Sequence, residues 1–125
     1  PPQSFLPVLV HIKDCYILWF SEYQILPKVH RHTLGERVDN LLVEIIEAVS
    51  VASFLQKEEK LPFIRLSIRK VDTVKVLLLI LWESRSLDNK KYISLSEKIE
   101  IIGKMLGGWG GQLSKQNSPA KAREK

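Results

Sequence analysis

The sequence is poor in the features that mark secreted and membrane-spanning proteins. Its one cysteine, Cys15, cannot form a disulfide within the chain and is typical of a reducing compartment. The longest apolar run, residues 76–82, is far shorter than the roughly 20 residues that cross a bilayer. The first residues also lack the basic region of a signal peptide. We therefore expect a cytoplasmic protein without a membrane span, and 125 residues suffice for one domain with its own core.

Apolar residues recur at alternating spacings of four and three, which is the pattern of amphipathic helices. The pattern occupies four segments: 5–26, 34–55, 67–81 and 95–113. The connections expected between them are short: roughly 27–32, 57–61 and 86–93. Short connections make neighbouring helices antiparallel. The sequence therefore predicts an all-α fold, an antiparallel up-and-down four-helix bundle over residues 1–113, followed by a flexible basic tail over residues 114–125.

Local signals indicate where these helices begin and end. Thr33 and Glu36 have the spacing of a capping box at the start of the second helix, and Ser94 and Glu97 repeat it for the fourth. Pro62 suits the first turn of the third helix, because its missing N–H would be unpaired there in any case. The glycine pair 110–111 is expected to end the fourth helix.

The third helix is apolar on every side between residues 76 and 82. One side must contact the bundle core, and the opposite side also needs shielding from water. We predict a homo-oligomer whose interface includes Leu77, Ile80 and Trp82.

The charge distribution is uneven along the chain. The net charge is +5 and the pI about 9.4, but residues 1–60 carry six basic and eight acidic groups, whereas residues 61–125 carry thirteen and six. Such asymmetry indicates a polyanion partner or an acidic protein surface, or simply a solvated basic side.

The sequence offers little for catalysis or for metal binding. His30 and His32 flank Arg31 without an acid or thiol nearby, which makes a weak zinc site. The glycine-rich stretch 107–111 lacks the Lys-Ser/Thr of a phosphate loop and lies at the end of a predicted helix. We expect Cys15 to pack in the core, and we expect no catalytic residue, cofactor or metal.

Three motifs resemble a known family. They are Leu26-Pro-Lys-x-x-Arg31-x-Thr33-Leu-Gly-x-Arg37, then Val71-Asp72 with Lys75 in a leucine-rich helix, and finally Tyr92-x-x-Leu95-Ser-Glu97-Lys98 with Ile102-Gly-Lys-Met-Leu-Gly-Gly-Trp109. Over about residues 5–113 the chain resembles the accessory variability determinant family of diversity-generating retroelements. It is similar also to the four-helix-bundle proteins encoded by intervening sequences in large-subunit ribosomal RNA genes.

The resemblance implies a basic four-helix protomer that assembles as a barrel-shaped homopentamer without enzymatic activity. It implies binding to a retroelement reverse transcriptase and to its template RNA, in support of mutagenic cDNA synthesis. The basic positions that match the family are Lys28, Arg31, Arg37 and Lys75. Leu79 departs from the family, whose members often carry a further basic residue near this position.

Our hypothesis is therefore a reverse-transcriptase accessory subunit that binds RNA, and possibly DNA, with weak sequence specificity. The rival hypothesis is a structural oligomer of the ribosomal-intervening-sequence type without a reverse transcriptase partner. Under the first hypothesis, seven residues contact phosphates: Lys28, Arg31, Arg37, Arg65, Arg69, Lys70 and Lys75.

Overall fold

The computed structural model describes residues 6–117, and this part of the chain is helical without any β-strand. Its five helices are α1 (Leu6–Tyr23), α2 (Lys28–Arg31), α3 (Leu34–Phe54), α4 (Lys57–Glu83) and α5 (Asn89–Gln116). Each of the four long helices packs against two others, in the order α1, α3, α4, α5 and back to α1. The short α2 packs against α3. The predicted all-α bundle is confirmed, with one more helix than expected.

The core lies between the four long helices and follows most of the predicted stripes. In α3, α4 and α5 the stripe positions from Val38 to Ala52, Ser67 to Leu81 and Leu95 to Leu106 are buried. In α1 the buried side is shifted by about one residue from the predicted stripe. Val8 and Cys15 are buried, whereas the predicted Leu9 and Tyr16 are only partly buried. The core position expected for Cys15 is confirmed.

Tyr16 lies at the edge of the core because its hydroxyl group has a partner there. The hydroxyl donates a hydrogen bond to Asp39 Oδ1 at 2.8 Å, and the Trp19 indole donates to the same oxygen at 3.3 Å. Burial, and then the bond to Asp39, raise the pKa of Tyr16 to about 12. This polar contact joins α1 to α3.

The predicted start of the third long helix is wrong. α4 begins at Lys57, so Pro62 lies in its second turn, where it removes one backbone hydrogen bond. Glu58 and Glu59 occupy the first turn, where negative charge stabilises the positive end of the helix dipole. Lys60 Nζ donates to the Ala52 carbonyl at 2.6 Å, close to the end of α3.

The predicted start of the last helix is also wrong. Asp88 is the N-cap of α5, and its side chain accepts a hydrogen bond from the Lys91 N–H at 2.8 Å. Ser94 is therefore inside the helix and caps nothing. At α3, Thr33 occupies the expected N-cap position but makes no side-chain cap bond; its hydroxyl group donates back to the Val29 carbonyl at 3.3 Å.

α5 also runs further than the glycines predict. It passes through Gly110 and Gly111 and ends at Gln116, because packing of Gly110 against Ile64 and Ile68 of α4 continues to support the helix there. Residues 114–116 of the predicted tail therefore form its last turn. Phe5 of the first stripe and residues 118–125 of the tail lie outside the described residues.

Candidate nucleic-acid interface

The predicted phosphate-contacting residues fall into two groups, those without an internal partner and those with one. Arg65 and Arg69 belong to the first group. Both are exposed, and they lie one turn apart on α4, so their side chains leave the helix on the same side. Within residues 6–117 neither guanidinium forms a hydrogen bond or an ion pair. Both are available to an external anion.

Lys70 and Arg37 share one carboxylate between α3 and α4. Lys70 Nζ donates to Glu44 Oε1 at 2.8 Å, and Arg37 Nη1 lies 3.8 Å from Glu44 Oε2. The hydrogen bond from Lys70 is the main reason that the pKa of Glu44 falls below its usual value. A phosphate would have to displace Glu44 to bind Lys70 at full strength.

Lys75 is engaged in the same way between α4 and α5. Its Nζ atom lies 3.0 Å from Glu100 Oε1 and 3.9 Å from Asp72 Oδ1. The side chain is two-thirds covered and passes over Gly103, whose missing side chain leaves room for it. This residue links two helices, so it is less available to a ligand than its position in the motif indicates.

Arg31 makes contacts inside the bundle that limit its availability to a ligand. Its Nη2 group donates to the Leu26 carbonyl at 2.9 Å, and its Nε atom is buried without a hydrogen-bond partner. Lys28, at the start of the short α2, is exposed and makes no ion pair with any described residue. Of Arg31 and Lys28, only Lys28 is exposed and has no internal partner among the described residues.

The residues predicted for an oligomer interface are only partly covered within one protomer. Ile80 is 42% exposed, and its neighbours Val76 and Leu79 are exposed as well, whereas Leu77 is half-buried. Trp82 stacks on Tyr92 of α5, with ring centroids 4.9 Å apart. The outward side of α4 is thus basic at Arg65 and Arg69 and apolar at Val76, Leu79 and Ile80.

Groups that could carry chemistry are few among the described residues. Burial raises the pKa of the Cys15 thiol to about 11, so this thiol is not a thiolate nucleophile at neutral pH. Within residues 6–117 no three His, Cys, Asp or Glu side chains converge as metal ligands. None of the described helices has the length and hydropathy of a membrane span.

The chain matches no protein-family model, no curated protein and no solved structure. Its resemblance to the accessory variability determinant family therefore depends on the three motifs alone.

The sequence alone did not indicate that the turn between α4 and α5 contributes to a basic surface. His30 Nδ1 and Ser86 Oγ lie 2.5 Å apart, which places α2 beside this turn. Lys91 Nζ lies 3.3 Å from Glu22 Oε2, which joins α5 to the end of α1. Lys28 and Arg85 are distant in sequence, and tertiary contacts such as these bring their segments together.

Arg85 occupies a backbone conformation that favours glycine. Its φ angle is 67°, in the left-handed region that costs an L-residue about 1–2 kcal/mol. The Ser86 N–H bonds to the Leu81 carbonyl at 2.8 Å, and the Arg85 N–H bonds to the Trp82 carbonyl at 3.0 Å. These two bonds form a Schellman motif, in which the position of Arg85 is usually glycine. An exposed arginine therefore stands where the fold alone would favour glycine.

Proposed function

We propose that the protein is a non-catalytic accessory subunit of a retroelement reverse transcriptase, which holds template RNA or cDNA against that enzyme. In this proposal the protomer is an antiparallel four-helix bundle that assembles as a homo-oligomer in the cytoplasm. The subunit number of five comes from the family resemblance. The protein needs no cofactor for this role, since it contributes binding rather than chemistry.

One observation carries the proposal: Arg65 and Arg69 stand exposed and unpaired beside an exposed apolar stretch on the same side of α4. Packing of Val76 and Ile80 against another copy would remove their apolar surface from water. It would also bring the arginine pairs of several protomers near one another. Repeated cations of this kind bind phosphates without reading the base sequence.

Contacts between the long helices support the antiparallel arrangement. Ala52 near the end of α3 meets Lys60 near the start of α4, whereas Glu44, earlier in α3, meets Lys70, later in α4. In the same way Lys75 meets Glu100, whereas the earlier Ile64 lies beside the later Gly110. Residue numbers that rise along one helix and fall along its neighbour are those of an antiparallel pair.

The proposal is tested by RNA binding of the variant Arg65→Ala/Arg69→Ala, measured by fluorescence anisotropy with a single-stranded RNA over a series of salt concentrations. We expect weaker binding and a log–log salt slope that flattens by about 0.7 for each phosphate that the variant no longer neutralises. The matched control is Lys13→Ala/Lys57→Ala, which removes two exposed cations elsewhere and should leave affinity and slope nearly unchanged. Equal RNA binding by both variants and the wild type would contradict the proposal.

The rival, a structural oligomer without a reverse transcriptase partner, is favoured by a different observation. Four of the seven predicted phosphate contacts have internal partners, namely Arg31, Arg37, Lys70 and Lys75. An oligomer that binds no RNA at low salt would fit this rival. A reverse transcriptase gene with template and variable repeats beside the coding sequence would instead favour the accessory subunit.

A further inference from the structure

A second surface lies where α2 meets the turn between α4 and α5. We name it the α2 surface, and it consists of six exposed residues: Ile25, Lys28, Val29, His32, Arg85 and Lys90. Lys28 is two residues from His30, Arg85 is next to Ser86, and Lys90 is next to Lys91. The contacts His30–Ser86 and Lys91–Glu22 therefore hold the segments that carry these cations at the same end of the bundle.

The charge of this region is positive and little of it is neutralised internally. Residues 22–33 and 83–91 together hold five Lys and Arg against three acids. Two of these acids are already engaged, since Glu22 is buried against Lys91 and Asp88 caps α5. Lys28, Arg85 and Lys90 make no ion pair with any described residue, which leaves three exposed cations beside Glu83.

The same surface carries two of the most exposed aliphatic side chains of the described chain. Ile25 is 71% exposed and Val29 is 74% exposed. Nucleic-acid bases stack mainly on aromatic rings, whereas aliphatic side chains gain most from contact with other apolar side chains. Cations around two aliphatic side chains complement an acidic protein segment that also carries apolar residues.

Arg85 gives independent support for a ligand at this place. Its strained backbone would be relieved by glycine, so the backbone conformation gives no reason for arginine at that position. Strain of this kind concentrates at functional sites.

We propose that the α2 surface docks an acidic, apolar-containing segment of a partner protein. The inference depends on the proposed function only in that the function includes a protein partner. It assigns protein binding to the α2 surface and leaves RNA binding to Arg65 and Arg69 on α4.

The test measures binding of two labelled peptides of equal charge by fluorescence anisotropy, one of alternating Glu and Leu and the other of alternating Glu and Ser. We expect the Glu/Leu peptide to bind the full-length protein about tenfold more tightly than the Glu/Ser peptide, because only the former can cover Ile25 and Val29. Ile25→Ser/Val29→Ser should abolish this difference. Lys28→Glu/Arg85→Glu should weaken binding of both peptides about tenfold.

The matched control is Lys13→Glu/Lys57→Glu, which makes the same change of charge at exposed positions away from the α2 surface. The far-ultraviolet circular dichroism spectrum of every variant is recorded to check that the bundle keeps its helix content. Equal binding of the two peptides, or equal weakening in the control, would overturn the proposal. So would RNA that binds through Lys28 and Arg85 rather than Arg65 and Arg69, since the surface would then be a nucleic-acid site. If neither peptide binds but Arg65→Ala/Arg69→Ala still weakens RNA binding, the inference is overturned and the proposed function stands.

Discussion

Replacing Arg85 by glycine should stabilise the protein, although it removes a side chain. The residue has a φ angle of 67°, and an L-residue in that region is less favourable than glycine by about 1 kcal/mol. The two Schellman hydrogen bonds involve only backbone atoms, so the substitution keeps both. The exposed guanidinium makes no ion pair with the described residues, so its removal breaks none. We expect a net gain of about 1 kcal/mol, or a rise in Tm of about 4 °C.

Urea denaturation followed by circular dichroism measures this gain, with Arg85→Ala and Arg85→Lys as controls. Alanine removes the charge but keeps the strain, and lysine keeps both, so neither should be more stable than the wild type. If Arg85→Gly is no more stable than Arg85→Ala, the backbone of Arg85 is not strained, and strain no longer supports a ligand at the α2 surface. If Arg85→Gly is more stable but binds the Glu/Leu peptide less tightly, then the wild type is less stable at this position in return for tighter binding.

Three further predictions concern capping, pH and assembly. Asp88→Ala should cost about 1 kcal/mol in the free energy of unfolding, whereas Ser94→Ala should cost much less, because only Asp88 caps α5. The pKa of Glu44 is lowered by Lys70, so the pair stabilises the fold above the ordinary carboxyl value of about 4.5 and this stabilisation disappears as the pH falls. Glu44→Gln should therefore make the acid side of the stability–pH curve shallower. Light scattering of the wild type should give several times 14.4 kDa, and Ile80→Lys should lower the mass without unfolding the protomer, since Ile80 is exposed within it. A monomeric wild type would contradict the predicted oligomer.

The helical periodicity could be predicted from the sequence because it follows from burial, and burial selects apolar residues at fixed spacing. The helix boundaries could not be predicted as well, since several residue types can serve as caps and tertiary packing decides among them. Ser94 and Asp88 are both good N-cap residues, and the chain uses Asp88. Thr33 is at the N-cap, but its hydroxyl group bonds backwards to α2, a helix too short to give a periodic signal.

The candidate site was less predictable than the fold for a related reason. A sequence gives the number of cations but not the positions of the carboxylates that neutralise them. Arg65 and Lys70 look equivalent in the chain, yet only Lys70 meets Glu44 from the neighbouring helix. In the same way nothing local to Lys28 or Arg85 indicates that their segments meet, because the bond between His30 and Ser86 joins residues 56 positions apart.

The distinction between paired and unpaired cations also decides what a salt titration of RNA binding would measure. An unpaired cation such as Arg65 displaces counterions from the phosphates it binds, so each such interaction contributes to the salt slope. Lys70 is held by Glu44, and while that pair remains intact Lys70 neutralises no phosphate and displaces no counterion. The slope therefore counts the unpaired cations that bind RNA. On this reasoning Lys70→Ala should change it far less than Arg65→Ala, even though both substitutions remove one positive charge.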